Sequence, residues 1–220
     1  MDFLAVLAQV FRQMPEIAPG AFHYPFYLDA TAQDALAREV AEVIAAAPLY
    51  VSTMPKTGAP MSVRMTNCGA LGWVSDKDRG YRYEPRHPQT GDPWPAMPDR
   101  LLELWNELAH YDKAPEACLV NVYDEAARMG LHQDKDESDF AAPILSLSLG
   151  ADCRFKLGGT RRGDRAMAFT LSAGDALVLS GPARMRYHGV DRILPTINTP
   201  LPAALAALGV RVNLTLRRVT

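Results

Sequence analysis

The chain changes period about halfway along. Over residues 1–14, Leu4, Leu7 and Phe11 recur at helical spacing, and Pro15, Pro19 and Gly20 close that stretch. A clearer helix opens at Thr31 as N-cap, with Asp34 in an acidic first turn. Leu36, Val40, Val43 and Ile44 form its apolar stripe, and Pro48 stops it. A third helix begins at Asp99 and gathers Leu101, Leu104, Trp105 and Leu108 on one face. Residues 51–98, between the last two, are rich in Pro, Gly and aromatics and hold only short possible strands. So long a stretch inside a compact domain suits a functional lid. From 117 onward short apolar runs predict strands over 117–123, 144–149, 153–157, 166–171, 176–180, 185–190 and 210–219. Gly158-Gly159, Gly163-Asp164 and Gly174-Asp175 mark turns, and residues 201–208 predict a brief helical insertion. Many short strands with tight turns point to an α+β, mainly β fold built as a double-sheet jelly roll.

Polar residues inside these strands suggest chemistry. In the last strand, Val212, Leu214 and Leu216 line one face, while Arg211, Asn213, Thr215 and Arg217 line the other. An ordinary strand with a wet outer face has the same pattern, but two guanidinium groups on one face also suit a ligand with two carboxylates. Asn121 and Tyr123 add an amide and a phenol at the same period. His132 and Asp134 stand two apart, so on an extended strand both project to one side. Alone, His-x-Asp is commonplace in solvated turns. With His188 it completes two imidazoles and one carboxylate, the ligand set of a non-haem iron(II) oxygenase.

Composition changes this picture only slightly. The 220 residues suffice for one good core and carry a net charge of −2. From Arg154 to Thr220, however, eleven Lys/Arg face three Asp/Glu, and a basic third of this kind suits a phosphate-bearing ligand. Cys68, Cys118 and Cys153 are odd in number and widely spaced, which points away from a structural zinc site and toward reduced thiols in the cytoplasm. The first residues lack a basic leader, and no apolar run reaches membrane-spanning length.

Taken in order, the motifs resemble the AlkB family, the alkylation-repair branch of the iron(II)/2-oxoglutarate dioxygenases. They run from Met65-Thr66-Asn67-Cys68-Gly69 and Gly72-Trp73 through Tyr81-Arg82-Tyr83, Pro93-Trp94-Pro95 and Asn121-Val122-Tyr123. They continue with His132-Gln133-Asp134-Lys135-Asp136-Glu137, Ser146-Leu147-Ser148-Leu149-Gly150, Arg186-Tyr187-His188-Gly189 and Arg211-Val212-Asn213-Leu214-Thr215-Leu216-Arg217. The resemblance covers about residues 61–220. It implies a helical extension over 1–50, a nucleotide-recognition lid with its supporting helix over 51–116, and a jelly-roll core over 117–220, all in one catalytic domain.

The resemblance also implies roles. His132, Asp134 and His188 would hold Fe(II). Arg211 would pair with the distal carboxylate of 2-oxoglutarate and Arg217 with the one near the metal, with Asn121, Tyr123 and Asn213 completing the hydrogen bonding. O2 would be the second cosubstrate. Trp73 would stack on the alkylated base against His132, Tyr81 and Tyr83 would belong to the lid, and Asp136 would face the exocyclic amine. Arg162 would lie near the substrate, and Arg128, Gln133 and Lys135 could touch phosphates. The implied reaction is demethylation of 1-methyladenine and 3-methylcytosine in DNA by a monomer with no membrane and no obligate protein partner. Two alternatives remain open: the same chemistry on RNA or another methylated substrate, and a non-catalytic module that binds damaged bases. Ala126 stands where the family pattern carries Gly, and the Trp73–Tyr81 interval is one residue longer than the pattern.

Overall fold

The computed structural model describes residues 16–194 and 200–220, so the helix expected over 1–14 lies outside it. The described chain runs β1 (Glu16–Ala18), β2 (Ala21–Tyr24), α1 (Ala30–Ala46), β3 (Tyr50–Thr53), β4 (Pro60–Gly69), β5 (Gly72–Asp76), β6 (Gly80–Glu84) and α2 (Asp99–Leu108). It continues with β7 (Ala117–Tyr123), β8 (Met129–His132), β9 (Ile144–Gly150), β10 (Cys153–Leu157), β11 (Met167–Leu171), β12 (Ala176–Leu179), β13 (His188–Ile193) and β14 (Arg211–Arg217). Eight strands form one sheet, in the order β1-β2-β12-β9-β14-β7-β4-β3, and four form a second, in the order β11-β10-β13-β8. β5 and β6 make a separate hairpin. The two antiparallel sheets face each other as the expected jelly roll.

Alternation decides which side of the large sheet does what. Val212, Leu214 and Leu216 of β14 and Cys118, Val120 and Val122 of β7 pack with Leu36, Val40 and Val43 of α1 and Leu101, Leu104 and Trp105 of α2. The opposite face meets the small sheet, where Tyr123, Ile144, Leu177 and Leu179 join Cys153, Phe155, Leu157 and Val190. The polar face of β14 is therefore the inner face of the roll, not the wet outer one.

Several local expectations need correction. α1 starts one residue before Thr31, and its cap is Asp29, whose Oδ1 accepts from the Ala32 amide at 2.8 Å. Asp29 and Thr31 are both good capping types. With Thr31 inside the first turn, Asp34 falls in the second. The strand expected over 185–190 begins later, at His188, because a 3-10 turn at Gly181–Ala183 carries the chain past Arg184. The strand bearing His132 ends there, so Asp134 lies just beyond it. Residues 51–98 are not all lid: β3 and β4 extend the large sheet, with β4 pairing along β7 from Arg64↔Val122 to Gly69↔Ala117. A boundary at 117 therefore falls inside one sheet. The insertion over 201–208 is a short 3-10 turn, Ala203–Leu205.

Candidate metal centre and its cavity

His132 at the end of β8 and His188 at the start of β13 are direct cross-strand partners, with ring centroids 4.6 Å apart. Gly189 permits this approach: a Cβ there would lie 2.5 Å from the Met129 carbonyl oxygen and 2.7 Å from that of Gly130. Each ring is fixed by its own backbone. His132 Nδ1 lies 2.9 Å from the Gly130 carbonyl and His188 Nδ1 lies 3.0 Å from that of Arg186. A carbonyl only accepts, so the proton sits on Nδ1 and each Nε2 presents a lone pair. His132 Nε2 is 3.5 Å from Asp134 Oδ1, and His188 Nε2 is 3.7 Å from Asp134 Oδ2. The three ligand atoms lie within 4.8 Å of one another. This donor set fits a ferrous ion, and the backbone bonds to Nδ1 are the outer-shell support a metal-binding imidazole needs.

Asp134 is nearly buried, and Arg217 donates to its Oδ2 through Nη2 at 2.8 Å and Nε at 3.1 Å. Burial alone would raise the Asp134 carboxyl, but Arg217 and the two rings outweigh it and hold the group well below its usual range. Burial, joined by the neighbouring His132, pushes His188 down to about 4. Burial also opposes charge on His132, but the neighbouring Asp134 carboxylate favours the charged ring, prevails and raises it. Arg217, expected against a cosubstrate carboxylate, is thus first a partner of the metal carboxylate.

The trio opens into a cavity of about 770 Å³ lined by Asn121, Tyr123, Arg211, Asn213 and Arg217 from β7 and β14. Such a volume is in the range of small-ligand sites and has room for more than one small group. Arg211 is only 1 % exposed, and among the described residues it has no acidic partner. Its Nη1 donates to the carbonyls of Ala151 and Leu171, and its Nη2 to Ser148 Oγ at 2.6 Å. Among the described residues, its Nε and Asn121 Oδ1 are buried without a hydrogen-bond partner. A buried cation is expensive unless an anion neutralises it, so this wall could hold a carboxylate that enters from the cavity. Burial pushes the Tyr123 phenol up, which keeps it a hydrogen-bond donor beside Arg211. Asn213 differs from expectation. Both its amide protons go to Ser146 Oγ and the Leu147 carbonyl, and its Oδ1 accepts from Thr215. Ser146 and Ser148, which alternate with Leu147 and Leu149 and so share the inner face, are the partners of Asn213 and Arg211.

The β5–β6 hairpin supplies the other side. Trp73 is the cross-strand partner of Tyr83, and Ser75 of Tyr81, so all four share one face. Trp73 stacks on Tyr81 at 5.4 Å and 25°, and both line the cavity. The base of the hairpin is pinned to the large sheet. Asn67 accepts from the Trp73 amide at 3.0 Å and donates to its carbonyl at 3.1 Å, and Gly72 leaves room for the Trp94 indole, 2.4 Å from where a Cβ would sit. The pairing Asp76↔Gly80 leaves three residues in the turn, and the longer Trp73–Tyr81 interval fits without a register break. Trp73 Nε1 donates to Asp136 Oδ2 at 2.9 Å, and the Tyr83 hydroxyl donates to Glu137 Oε1. Tyr83 is therefore turned to the acid, not to the cavity wall.

Arg128, Lys135 and Arg162 are exposed at the cavity rim, with Arg162 over the Tyr187 ring at 5.9 Å. Gln133 also lines the cavity, but its amide nitrogen donates to the carbonyls of Met185 and Thr160, so it shapes the rim and offers phosphate no free proton. Glu137 closes the His132–Glu137 motif without a role of its own there, and Arg184, 47 residues away, stands in no motif that would connect the two. All three cysteines are free and buried, and among the described residues no helix is long and apolar enough to cross a membrane.

Comparison with known proteins agrees with this geometry. Residues 20–217 match the model of the 2OG-Fe(II) oxygenase superfamily. The chain is 48 % identical over 202 residues to the alpha-ketoglutarate-dependent dioxygenase AlkB homolog of Caulobacter vibrioides, covering 92 % of this chain and 89 % of that one. It is 41 % identical over 193 residues to the alpha-ketoglutarate-dependent dioxygenase AlkB of Escherichia coli, covering 85 % of each. The solved structure of OsALKBH1 superposes with a TM-score of 0.75 at 27 % identity, over 93 % of this chain and 99 % of that one. This chain belongs to the AlkB family of iron(II)- and 2-oxoglutarate-dependent dioxygenases.

Proposed function

We propose that this enzyme demethylates N-alkylated nucleobases, with 1-methyladenine and 3-methylcytosine in DNA as its main substrates. The carrying observation is that Trp73, Asp136 and His132 line the same cavity as the unneutralised Arg211, whose Nε donor has no partner among the described residues. One cavity thus offers a site for an aromatic cation and a site for a dicarboxylate. Iron(II) with 2-oxoglutarate and O2 supplies the oxidation: the cosubstrate becomes succinate and CO2, and the N-methyl group is hydroxylated and leaves as formaldehyde.

The remaining work belongs to the protein. His132, Asp134 and His188 hold the metal. Arg211, Tyr123 and Asn121 grip the distal carboxylate of 2-oxoglutarate, and Arg217 stands by the carboxylate nearer the metal, with Asn213 shaping the wall. The Trp73 face of the hairpin acts as the nucleotide-recognition lid and stacks on the extruded base, a contact worth roughly 1–3 kcal/mol. That offsets much of the cost of unstacking, on the order of a few kcal/mol and least for a damaged base. The Asp136 carboxylate complements the positive charge of these lesions. Arg128, Lys135 and Arg162 present cations to the phosphates at the rim.

The test is formaldehyde release from methylated oligonucleotides with Fe(II) and 2-oxoglutarate, with DNA, RNA and a methylated peptide in competition. Release from the DNA above the others is expected. Preference for the peptide, or binding to methylated DNA without turnover, would contradict the proposal, and preference for RNA would reassign the substrate.

A further inference from the structure

Glu137 has no part in the chemistry above, yet its side chain is only 1 % exposed, and that of its partner Arg184 is 2 % exposed. Ionised groups are kept out of water only where they are paired and hydrogen-bonded. Both are. Glu137 accepts from Arg184 Nη2 at 3.1 Å on Oε2 and from the Tyr83 hydroxyl on Oε1, and that same Oε1 lies 3.4 Å from Arg217 Nε. Arg184 donates Nη1 to the main-chain carbonyl of Asp134 at 2.7 Å and Nε to that of Ala142 at 3.0 Å. One arginine thus holds the backbone of Asp134, another holds its carboxylate, and Glu137 joins the two arginines.

We propose that Glu137 and Arg184 are positioning residues for the metal carboxylate Asp134, and that Tyr83 ties the β5–β6 hairpin into the same assembly. Asp134, Glu137, Arg184 and Arg217 form a buried set of two negative and two positive groups. Without the charge on Glu137, two guanidinium groups would bear on one carboxylate. Asp134 would be drawn further into pairing with Arg217, and the field at the metal site would turn more positive. Both changes weaken cation binding, although no Glu137 atom belongs to the ligand group. The hairpin enters through adjacent acids: Trp73 bonds to Asp136 and its cross-strand partner Tyr83 bonds to Glu137. Only the second contact leads on to the arginines.

The experiment titrates Mn(II) into the full chain by calorimetry, without cosubstrate, and records the EPR spectrum of the bound ion. Glu137→Gln should raise the Mn(II) Kd about 10-fold and alter the spectrum, as loss of an outer-shell partner does. Tyr83→Phe removes one hydrogen bond and no charge, and should raise the Kd about 3-fold. Melting in EDTA is measured alongside. A lower melting temperature with unchanged Kd and spectrum would reveal a merely structural role and overturn the proposal. If Glu137→Gln does not fold, Tyr83→Phe decides, because its ring sits on a half-buried hairpin. The inference rests on the metal site proposed above: a wild-type chain that fails to bind Mn(II) overturns both, while normal wild-type binding with unchanged variants overturns this inference alone.

Discussion

β14 and the β5–β6 hairpin present period-two side chains to the same cavity, but they are held in different ways. β14 is flanked on both sides, by β7 and β9, over all seven of its residues. Its apolar face is locked under two helices, so Arg211 and Arg217 can shift only if the core shifts. The hairpin has two strands and no sheet neighbour. It is attached through Asn67, Tyr50 and Trp94 at its base, through Ser75 to the Thr53 carbonyl, through Val74 packed on Met65 and Leu119, and through Asp136 and Glu137 at its aromatic face. The oxidative machinery stands on the rigid element, where placement must be accurate. The proposed base-recognition face stands on a small element held by one buried apolar residue, Val74, in a minor apolar cluster and by a set of polar contacts. Damage to the wall should therefore remove chemistry, and damage to the hairpin should weaken substrate binding while chemistry persists.

The largest effect is expected at the foot of the wall. Asp134→Ala should abolish turnover, and because it leaves the buried Arg217 with only the longer Glu137 contact it should also cost on the order of 3 kcal/mol of stability. Near-normal turnover in formaldehyde assays would contradict the assigned ligand set.

Next comes pH, in the metal-free chain. His188 is held at about 4, below its ordinary value of about 6.5. A lowered pKa gives stability that is present above the ordinary value and lost as pH falls through the folded one, here between about 6.5 and 4. The Asp134 contribution has the same sign and is lost at still lower pH. His132 is raised, so its contribution is complete below its ordinary value and offsets nothing in that window. Denaturant unfolding in EDTA should show stability falling from pH 7 to pH 4 by up to about 3 kcal/mol. A flat profile would mean that His188 is not buried as a neutral ring.

Trp73→Ala probes the hairpin. Loss of stacking should lower kcat/KM for a methylated oligonucleotide about 10- to 100-fold, mainly through KM, while 2-oxoglutarate affinity stays unchanged. A matching loss of cosubstrate affinity would erase the distinction between wall and hairpin. The mildest change, Arg211→Lys, keeps the charge but not the fork. It should raise the KM for 2-oxoglutarate about 10-fold and leave oligonucleotide KM alone. An unchanged cosubstrate KM would mean that Arg211 does not face the carboxylate.

The wall was more legible in the chain than the roof. Arg211, Asn213, Thr215 and Arg217 alternate with Val212, Leu214 and Leu216, and strict alternation maps directly onto two faces of a strand. What alternation does not give is the partner of each group. Asn213 turned out to serve Ser146 and Leu147, and Arg217 to serve Asp134. β4 was hidden because Thr66, Asn67 and Cys68 are buried in succession, which leaves no period to read. The Glu137–Arg184 pair was beyond reach because its members are 47 residues apart and meet only through the fold. The metal trio lay between these extremes: His132-x-Asp134 drew notice, but the expected shared strand ends at His132, and the residues converge through the β8–β13 pairing.

The most direct test is anaerobic titration of Fe(II) into the wild-type chain and into His188→Ala, followed by native mass spectrometry. The account predicts one iron per wild-type chain, with 2-oxoglutarate retained only when iron is present, and no stable iron in the variant. Equal iron occupancy in both chains would show that His132, Asp134 and His188 do not form the metal site.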